Sequence, residues 1–153
     1  MKTRLGDRGF RATNLEGLLK SKTYGKIYIH MGLNELNNGA DVVMEGYHEL
    51  IALVRQYQPN AVIVIQECMA ISEKMGQGKR APIDEFRKRN NMLRELAESD
   101  PVGYRFSETN SWAADENGYL RKEIASGDCH LLGKYYAEWG QFILQDAGWF
   151  GIP

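Results

Sequence analysis

The fold is decided by residues 26–35, KIYIHMGLNE, a short apolar run that stops at a glycine and continues with polar side chains. A strand that ends at the functional edge of an open α/β sheet has this pattern. Near the other end of the chain, Gly127-Asp128-Cys129-His130-Leu131 offers a carboxylate and an imidazole that would complement this stretch chemically. Together, the two stretches predict a site assembled from segments that follow strands.

The length and net charge of the chain indicate a single domain and do not indicate nucleic acid or a membrane as its partner. The chain has 153 residues and a formal net charge of -1, which fits a single domain with its own core and gives no indication of nucleic acid as a partner. No apolar run is long enough to span a bilayer and no signal-peptide pattern is present, so a cytoplasmic domain without a membrane partner is the default expectation. Cys68 and Cys129 lack disulfide-framework and zinc-site spacing, so we expect free thiols, no metal and no cofactor.

Apolar periodicity predicts helices and strands that alternate along the chain. The strands are expected at residues 26–31, 61–65 and 104–106, and the helices at residues 15–19, 43–54, 82–97 and 133–146. Residues 61–65 form a continuous β-branched run, which is typical of a strand buried on both faces of a parallel sheet. Residues 1–12, 67–81 and 107–126 are expected to be irregular. This alternation predicts an α/β fold with three layers, α/β/α, around a parallel flavodoxin-like sheet.

Ligands of such a sheet bind at the carboxyl ends of its strands. Three segments should reach this edge, and they bring Gly32, Asn34 and Glu35, then Glu67 and Cys68, and finally Asp128 and His130. An amide can direct N–H donors at a developing negative charge, and a histidine titrates in the range that suits a general base. Asn34 and His130 are therefore the candidate functional residues.

These motifs resemble those of a known enzyme family. Gly32-Leu33-Asn34-Glu35 resembles block III, Gly-x-Asn-Asp/Glu, of the SGNH, or GDSL-type, hydrolases. Asp128-Cys129-His130-Leu131 resembles their block V, in which Asp-x-x-His-Leu precedes the last helix, and Arg8-Gly9-Phe10 occupies the place of the block II glycine. The order and rough spacing match from about residue 8 to residue 146. The resemblance implies a single SGNH-hydrolase-like domain over residues 1–153 that acts on carboxylic esters or sugar O-acetyl groups.

The resemblance also implies roles for individual residues. In this family a serine attacks the ester carbonyl, a histidine is its general base, and an aspartate orients the histidine. Carried over by position, His130 is the base, Asp128 orients it, and Asn34 and Gly9 donate to the oxyanion. The expected substrate is a small ester or an acylated carbohydrate, and neither a metal nor a cofactor is implied.

Two departures from the family pattern affect these expectations. Asp128 lies two residues before His130, whereas the family aspartate lies three before, where this chain has Gly127. Gly6-Asp7 is followed by Arg8 and not by the serine of block I, and no apolar strand precedes it. We therefore expect a domain truncated at its N-terminus relative to the family, a sheet reduced at its N-terminal strands, no recognisable nucleophile and little esterase activity.

A sheet that lacks its first strand would leave residues 27–29 on an open edge, and exposed edges pair with other chains. We therefore expect a homo-oligomer formed through this edge.

Several alternatives stay open on the sequence alone. Asn34 could be a turn residue, and His130 a structural histidine. The domain could be a non-catalytic carbohydrate-binding or assembly module, or a flavodoxin-like binding domain unrelated to hydrolases. His30 and His48 are expected to be structural, Cys68 a core thiol, and the aromatic stripe of the last helix part of the core. Asn90 interrupts an apolar helix face and is expected to bond a neighbouring loop.

Overall fold

A computed structural model describes residues 2–5, 11–35, 37–78 and 82–149. Its elements are β1 (Lys2–Leu5), β2 (Arg11–Asn14), α1 (Leu15–Ser21), β3 (Lys26–Ile29), α2 (Ala40–Tyr57), β4 (Val62–Gln66), α3 (Glu73–Gly76), α4 (Ile83–Glu98), β5 (Tyr104–Ser107), α5 (Asn110–Ala113), a 3-10 turn (Gly133–Tyr135) and α6 (Tyr136–Trp149). None of the helices in these ranges is both long and apolar enough to cross a membrane.

The three predicted strands form one parallel sheet in the order β3-β4-β5. The alternation of helices and strands and the α/β class are thereby confirmed. The strand β3 ends at Ile29, two residues earlier than predicted. The Tyr47 hydroxyl accepts a hydrogen bond from the Met31 N–H and donates one to the Met31 carbonyl, both at 3.2 Å, so a side chain takes over the backbone pairing there.

The prediction that residues 1–12 are irregular is wrong for the part that the structure describes. The strands β1 and β2 pair in an antiparallel hairpin whose register sets Lys2 opposite Asn14 and Leu5 opposite Arg11. The strand β2 leads directly into α1, and the Asn14 side chain caps that helix by accepting from the Gly17 N–H at 2.8 Å. The hairpin was not predicted because Leu5 and Ala12 are the only apolar residues in its two strands, which therefore show no apolar alternation.

Helices α2 and α4 cover one face of the sheet. Their apolar stripes meet the β4 side chains in a core that contains Val43, Tyr47, Ile51, Val54, Ile63, Ile65, Leu93 and Ala97. Burial of a large aliphatic side chain contributes about 1.5–3 kcal/mol, so this layer fixes α4 firmly against the sheet. The stripes predicted for both helices are confirmed.

A second buried cluster lies beyond the carboxyl ends of the strands. It joins residues 68–71, which follow β4, to Phe86 of α4 and to apolar side chains of residues 113–131. The two long segments predicted to be irregular contain the short helices α3 and α5 and two isolated bridges, Ala114 to Leu120 and Ala125 to Leu131. The connections that carry the candidate site are therefore packed onto a core.

Candidate active site

A cavity of about 550 Å³ at the carboxyl edge of the sheet brings Asn34 and His130 together. Its walls are residues 30–35 after β3, Met69 after β4, residues 129–131, and Tyr136 and Trp139 of α6. Both predicted functional side chains are exposed, so a ligand can reach them. The two segments that the sequence singled out thus line the same cavity.

Asp128 contacts His130 despite its shortened spacing. The Asp128 Oδ1 atom lies 2.9 Å from His130 Nδ1 and also accepts from the His130 backbone N–H at 2.8 Å. The backbone hydrogen bond bends the carboxylate back over the loop, which is how a residue only two positions away reaches the ring. This backbone bond, followed by the bond to the imidazole, lowers the pKa of Asp128. The carboxylate therefore stays ionised, and a proton on His130 Nδ1 would complement it, which leaves Nε2 as the acceptor nitrogen of the neutral ring.

The Asp128–His130 ion pair contributes little to the stability of the fold. The His130 side chain is 54% exposed and that of Asp128 is 52% exposed. An ion pair at such exposure contributes about 0–1 kcal/mol, because water screens both charges. Its value is to fix the orientation of the ring.

The loop that carries Asn34 is anchored from beneath by Arg89. This arginine is only 1% exposed, and its guanidinium donates to the carbonyls of Gly32, of Glu35 at 3.2 Å and of Asn38 at 3.0 Å. Three carbonyls from one loop therefore solvate a buried cation. These hydrogen bonds tie the backbone on both sides of Asn34 to helix α4.

Gly32 is required at the start of this loop. Its φ of +99° lies in the region that disfavours side chains. A Cβ there would lie 3.3 Å from Val43 Cγ1 and 3.4 Å from Arg89 Cδ, which is tighter than ordinary contact. The glycine therefore lets the loop turn sharply directly against α2 and α4.

Arg89 was missed by the sequence analysis, although a signal was present. It occupies the same helix face as Phe86 and Leu93, which are three residues before and four residues after it. A charged residue within an apolar stripe needs buried polar partners, and here these are carbonyls of a functional loop.

The neighbouring Asn90 anchors the loop after β4, as predicted. Its amide donates to the Cys68 carbonyl at 3.1 Å and accepts from the Cys68 N–H at 3.0 Å. Asn110 continues this support, since it donates to the same carbonyl at 3.0 Å and accepts from the Ala70 N–H at 2.7 Å. The loop is thereby aligned so that Met69 lines the cavity.

Glu67 and Cys68 were expected at the site, but the cavity wall from this loop is Met69. Glu67 accepts from the Asn110 N–H at 2.9 Å, and burial raises its pKa. Cys68 is completely buried, and burial raises its pKa to about 12, so it is a protonated core thiol. The Cys68 side chain packs into the second core and the Glu67 carboxylate bonds the Asn110 N–H, so neither side chain lines the cavity.

No serine lines the cavity, although all six serines lie in the described ranges. Ser126, the nearest to His130 in sequence, donates to the His130 carbonyl at 3.1 Å. Cys129 lines the cavity and its Sγ lies 3.6 Å from His130 Nδ1, but burial and the Asp128 charge raise its pKa. Gly9, the other predicted oxyanion donor, lies outside the described residues. The described residues of the cavity wall thus include an imidazole and a side-chain amide but no serine.

Asp128, Cys129 and His130 place three potential metal-ligand atoms within 4.8 Å of one another, which sequence spacing did not indicate. Within this group, the Asp128 Oδ1 atom lies 2.9 Å from His130 Nδ1.

The sequence predicted that the aromatic stripe of α6 is part of the core, but two of its rings line the cavity. Tyr136 is 47% exposed, and it meets Trp139 edge-on with ring centroids 6.1 Å apart. Both rings line the cavity. The helix therefore supplies an aromatic wall, which a periodicity pattern cannot distinguish from a core stripe.

Comparison with known proteins supports the fold. No protein-family model matches the chain, and no curated protein matches it. A solved structure from Streptococcus pneumonia, provisionally described as a platelet activating factor, is similar with a TM-score of 0.70 and 18% sequence identity. The similarity covers 85% of this chain and 66% of that one. The chain is thus an α/β protein that shares its fold with this structure over most of its length.

Proposed function

We propose that the cavity is the acyl-binding site of an SGNH/GDSL-like ester hydrolase for small carboxylic esters, including sugar O-acetyl esters. The observation that carries the proposal is that Asn34 and His130 line one cavity, with the Asp128 carboxylate in contact with His130 Nδ1. The fold shared with a protein described as a platelet activating factor is compatible with this assignment.

The proposed roles are those that the family resemblance implies, and the cavity and the Asp128–His130 contact support them. The Asn34 amide donates to the carbonyl oxygen of the ester, where negative charge develops. His130 accepts a proton at Nε2 while Asp128 holds its Nδ1–H. Gly9 would add a backbone donor, as the family resemblance implies. Because no serine lines the cavity, this chain binds esters and turns them over poorly.

This proposal is tested with p-nitrophenyl acetate and with ethyl acetate. The wild-type chain and His130→Ala are expected to hydrolyse p-nitrophenyl acetate at the same background rate. Ethyl acetate is expected to shift the Asn34 side-chain amide resonance, and Asn34→Ala should weaken its binding by about threefold to tenfold, the equivalent of one neutral hydrogen bond. Asn37→Ala, an exposed change outside the cavity wall, is the matched control. Turnover that His130→Ala abolishes would reveal a nucleophile, and unaltered ethyl acetate binding in Asn34→Ala would refute the acyl site.

A second candidate is a non-catalytic carbohydrate-binding or assembly module on the same fold. The aromatic wall of Tyr136 and Trp139 favours it, since aromatic faces pack against the apolar faces of sugar rings. An acetylated methyl glycoside and its deacetylated form separate the two functions. Equal dissociation constants would support the module, whereas clear preference for the acetylated form supports the ester site.

We further propose that the chain forms homo-oligomers through β3. In the described residues this strand pairs with β4 on one side and lies at an edge of the parallel sheet. Light scattering should show a dimer, and hydrogen exchange of the residue 26–29 amides should slow as protein concentration rises. The amides of β5, at the other edge, are the internal control and should not change. A monomer at every concentration would end this idea.

A further inference from the structure

His30 and Trp139 form a second polar contact region in the cavity wall. His30 follows β3 and alternates with Ile29, which packs into the core beneath α2 and α4. The His30 and Trp139 ring centroids lie 5.2 Å apart with a tilt of 60°. His30 Nε2 and Trp139 Nε1 are both buried, and neither has a hydrogen-bond partner among the described residues.

The unpartnered atoms have defined hydrogen-bonding chemistry. The Trp139 indole N–H can only donate. Burial lowers the pKa of His30, so its imidazole is neutral at neutral pH and has one donor and one acceptor nitrogen. A buried donor or acceptor without a partner costs folding free energy. Two such atoms on side chains that line a cavity therefore indicate a place where a polar group of a ligand can bind. The roles given to Asn34 and His130 leave this pair unused.

We propose that His30 and Trp139 form a hydroxyl-binding subsite, which takes a free hydroxyl on the alcohol side of the bound ester. The hydroxyl oxygen accepts from the Trp139 indole N–H and exchanges a second hydrogen bond with His30 Nε2. A hydroxyl fits either tautomer of His30 because it can donate and accept, whereas a carbonyl oxygen fits only the tautomer with a proton on Nε2.

This inference rests on the proposed acyl site and extends it. In the proposal, Asn34 and His130 bind the acyl group of the ester, and the new subsite binds its alcohol portion. The ligand class narrows accordingly to esters of polyols or sugars that keep at least one free hydroxyl.

Nuclear magnetic resonance of the ¹⁵N-labelled chain tests both halves separately. The indole resonance of Trp139 is assigned with Trp139→Phe, and three probes are titrated: glycerol monoacetate, ethyl acetate and glycerol. Glycerol monoacetate should move both the Trp139 indole and the Asn34 amide resonances. Ethyl acetate should move Asn34 alone, and glycerol should move Trp139 alone.

The failures of the two proposals can be distinguished. If glycerol monoacetate moves Asn34 and leaves Trp139 unmoved, the pair binds water only, and the subsite is refuted while the acyl site stands. If it moves Trp139 and leaves Asn34 unmoved, the acyl site is refuted and the hydroxyl contact stands. If neither resonance moves, both are refuted.

Substitutions of His30 supply a second measurement. His30→Phe keeps a ring against Trp139 and removes Nε2, so the dissociation constant for glycerol monoacetate should rise about threefold to tenfold. The value for ethyl acetate should stay within about twofold. His30→Gln restores a polar terminus and should recover part of the loss, and His48→Phe, at an exposed position of α2, is the control. Equal weakening of both probes in His30→Phe and His30→Gln would show a purely structural residue and overturn the proposal.

Discussion

Replacement of Arg89 by alanine is expected to lower the free energy of unfolding by about 3–5 kcal/mol, because it leaves carbonyl acceptors without their donor and removes a large buried side chain. The guanidinium donates to carbonyls of Gly32, Glu35 and Asn38, and the side chain is 1% exposed. Its removal leaves these acceptors without their donor and opens a cavity beneath the loop. The backbone around Asn34 should loosen, so ethyl acetate binding should weaken as well.

The matched control is Arg87→Ala on the same helix. Arg87 is exposed and pairs with Asp84 at 3.6 Å, so its loss should cost under about 1 kcal/mol. Urea unfolding of the two variants gives the comparison, with a lower midpoint and an unchanged slope expected for Arg89→Ala. Arg89→Lys should recover little, because one ammonium cannot serve three spread carbonyls. Equal stability of Arg89→Ala and Arg87→Ala would contradict the assigned anchor.

Asn90→Ala is expected to destabilise the chain by about 2–4 kcal/mol. The Cys68 N–H loses its acceptor inside the protein, whereas the Cys68 carbonyl keeps its bond from Asn110. Asn91→Ala, at the adjacent exposed position, should change stability by less than about 0.5 kcal/mol. If the two variants unfold at the same urea concentration, the paired bonds to Cys68 do not hold the loop.

Asn90→Asp adds a dependence on pH to this test. A carboxylate at this buried position faces the Cys68 carbonyl, so folding favours the protonated form and raises the pKa of the new side chain. The variant's loss of stability should therefore grow as pH rises above about 3.9, the ordinary pKa of aspartate, and shrink below it. Unfolding midpoints at pH 4 and pH 7, compared with wild type at each pH, measure this difference.

The sequence predicted the parts of the fold that local patterns determine. The stripe from Val43 to Val54 and the β-branched run at residues 61–65 correspond to α2 and β4, with β4 shifted by one residue. The end of β3 could not be predicted, because it depends on the Tyr47 hydroxyl, which reaches Met31 from sixteen residues away. The hairpin of β1 and β2 depends on backbone pairing between segments with little apolar pattern.

In the candidate site too, the residues in local motifs were predicted, and the long-range contacts were not. Asn34 and His130 were visible because each follows a recognisable local motif, and the structure brings them to one cavity. The contact of Asp128 with His130 required the bent loop, which sequence spacing could not give. The anchoring role of Arg89 and the cavity role of Trp139 are long-range, and periodicity alone assigns such residues only to a helix face.

Arg89 and Asn90 are consecutive residues, and each secures the loop after a different strand. The cavity walls that follow β3 and β4 are therefore both anchored by hydrogen bonds to a single turn of α4. Sequence change can proceed freely in an exposed side chain such as Asn34, whereas the backbone of the anchored loop can hardly vary. A lineage could thus alter what the cavity accepts, or lose its chemistry altogether, while the shape of the cavity persists.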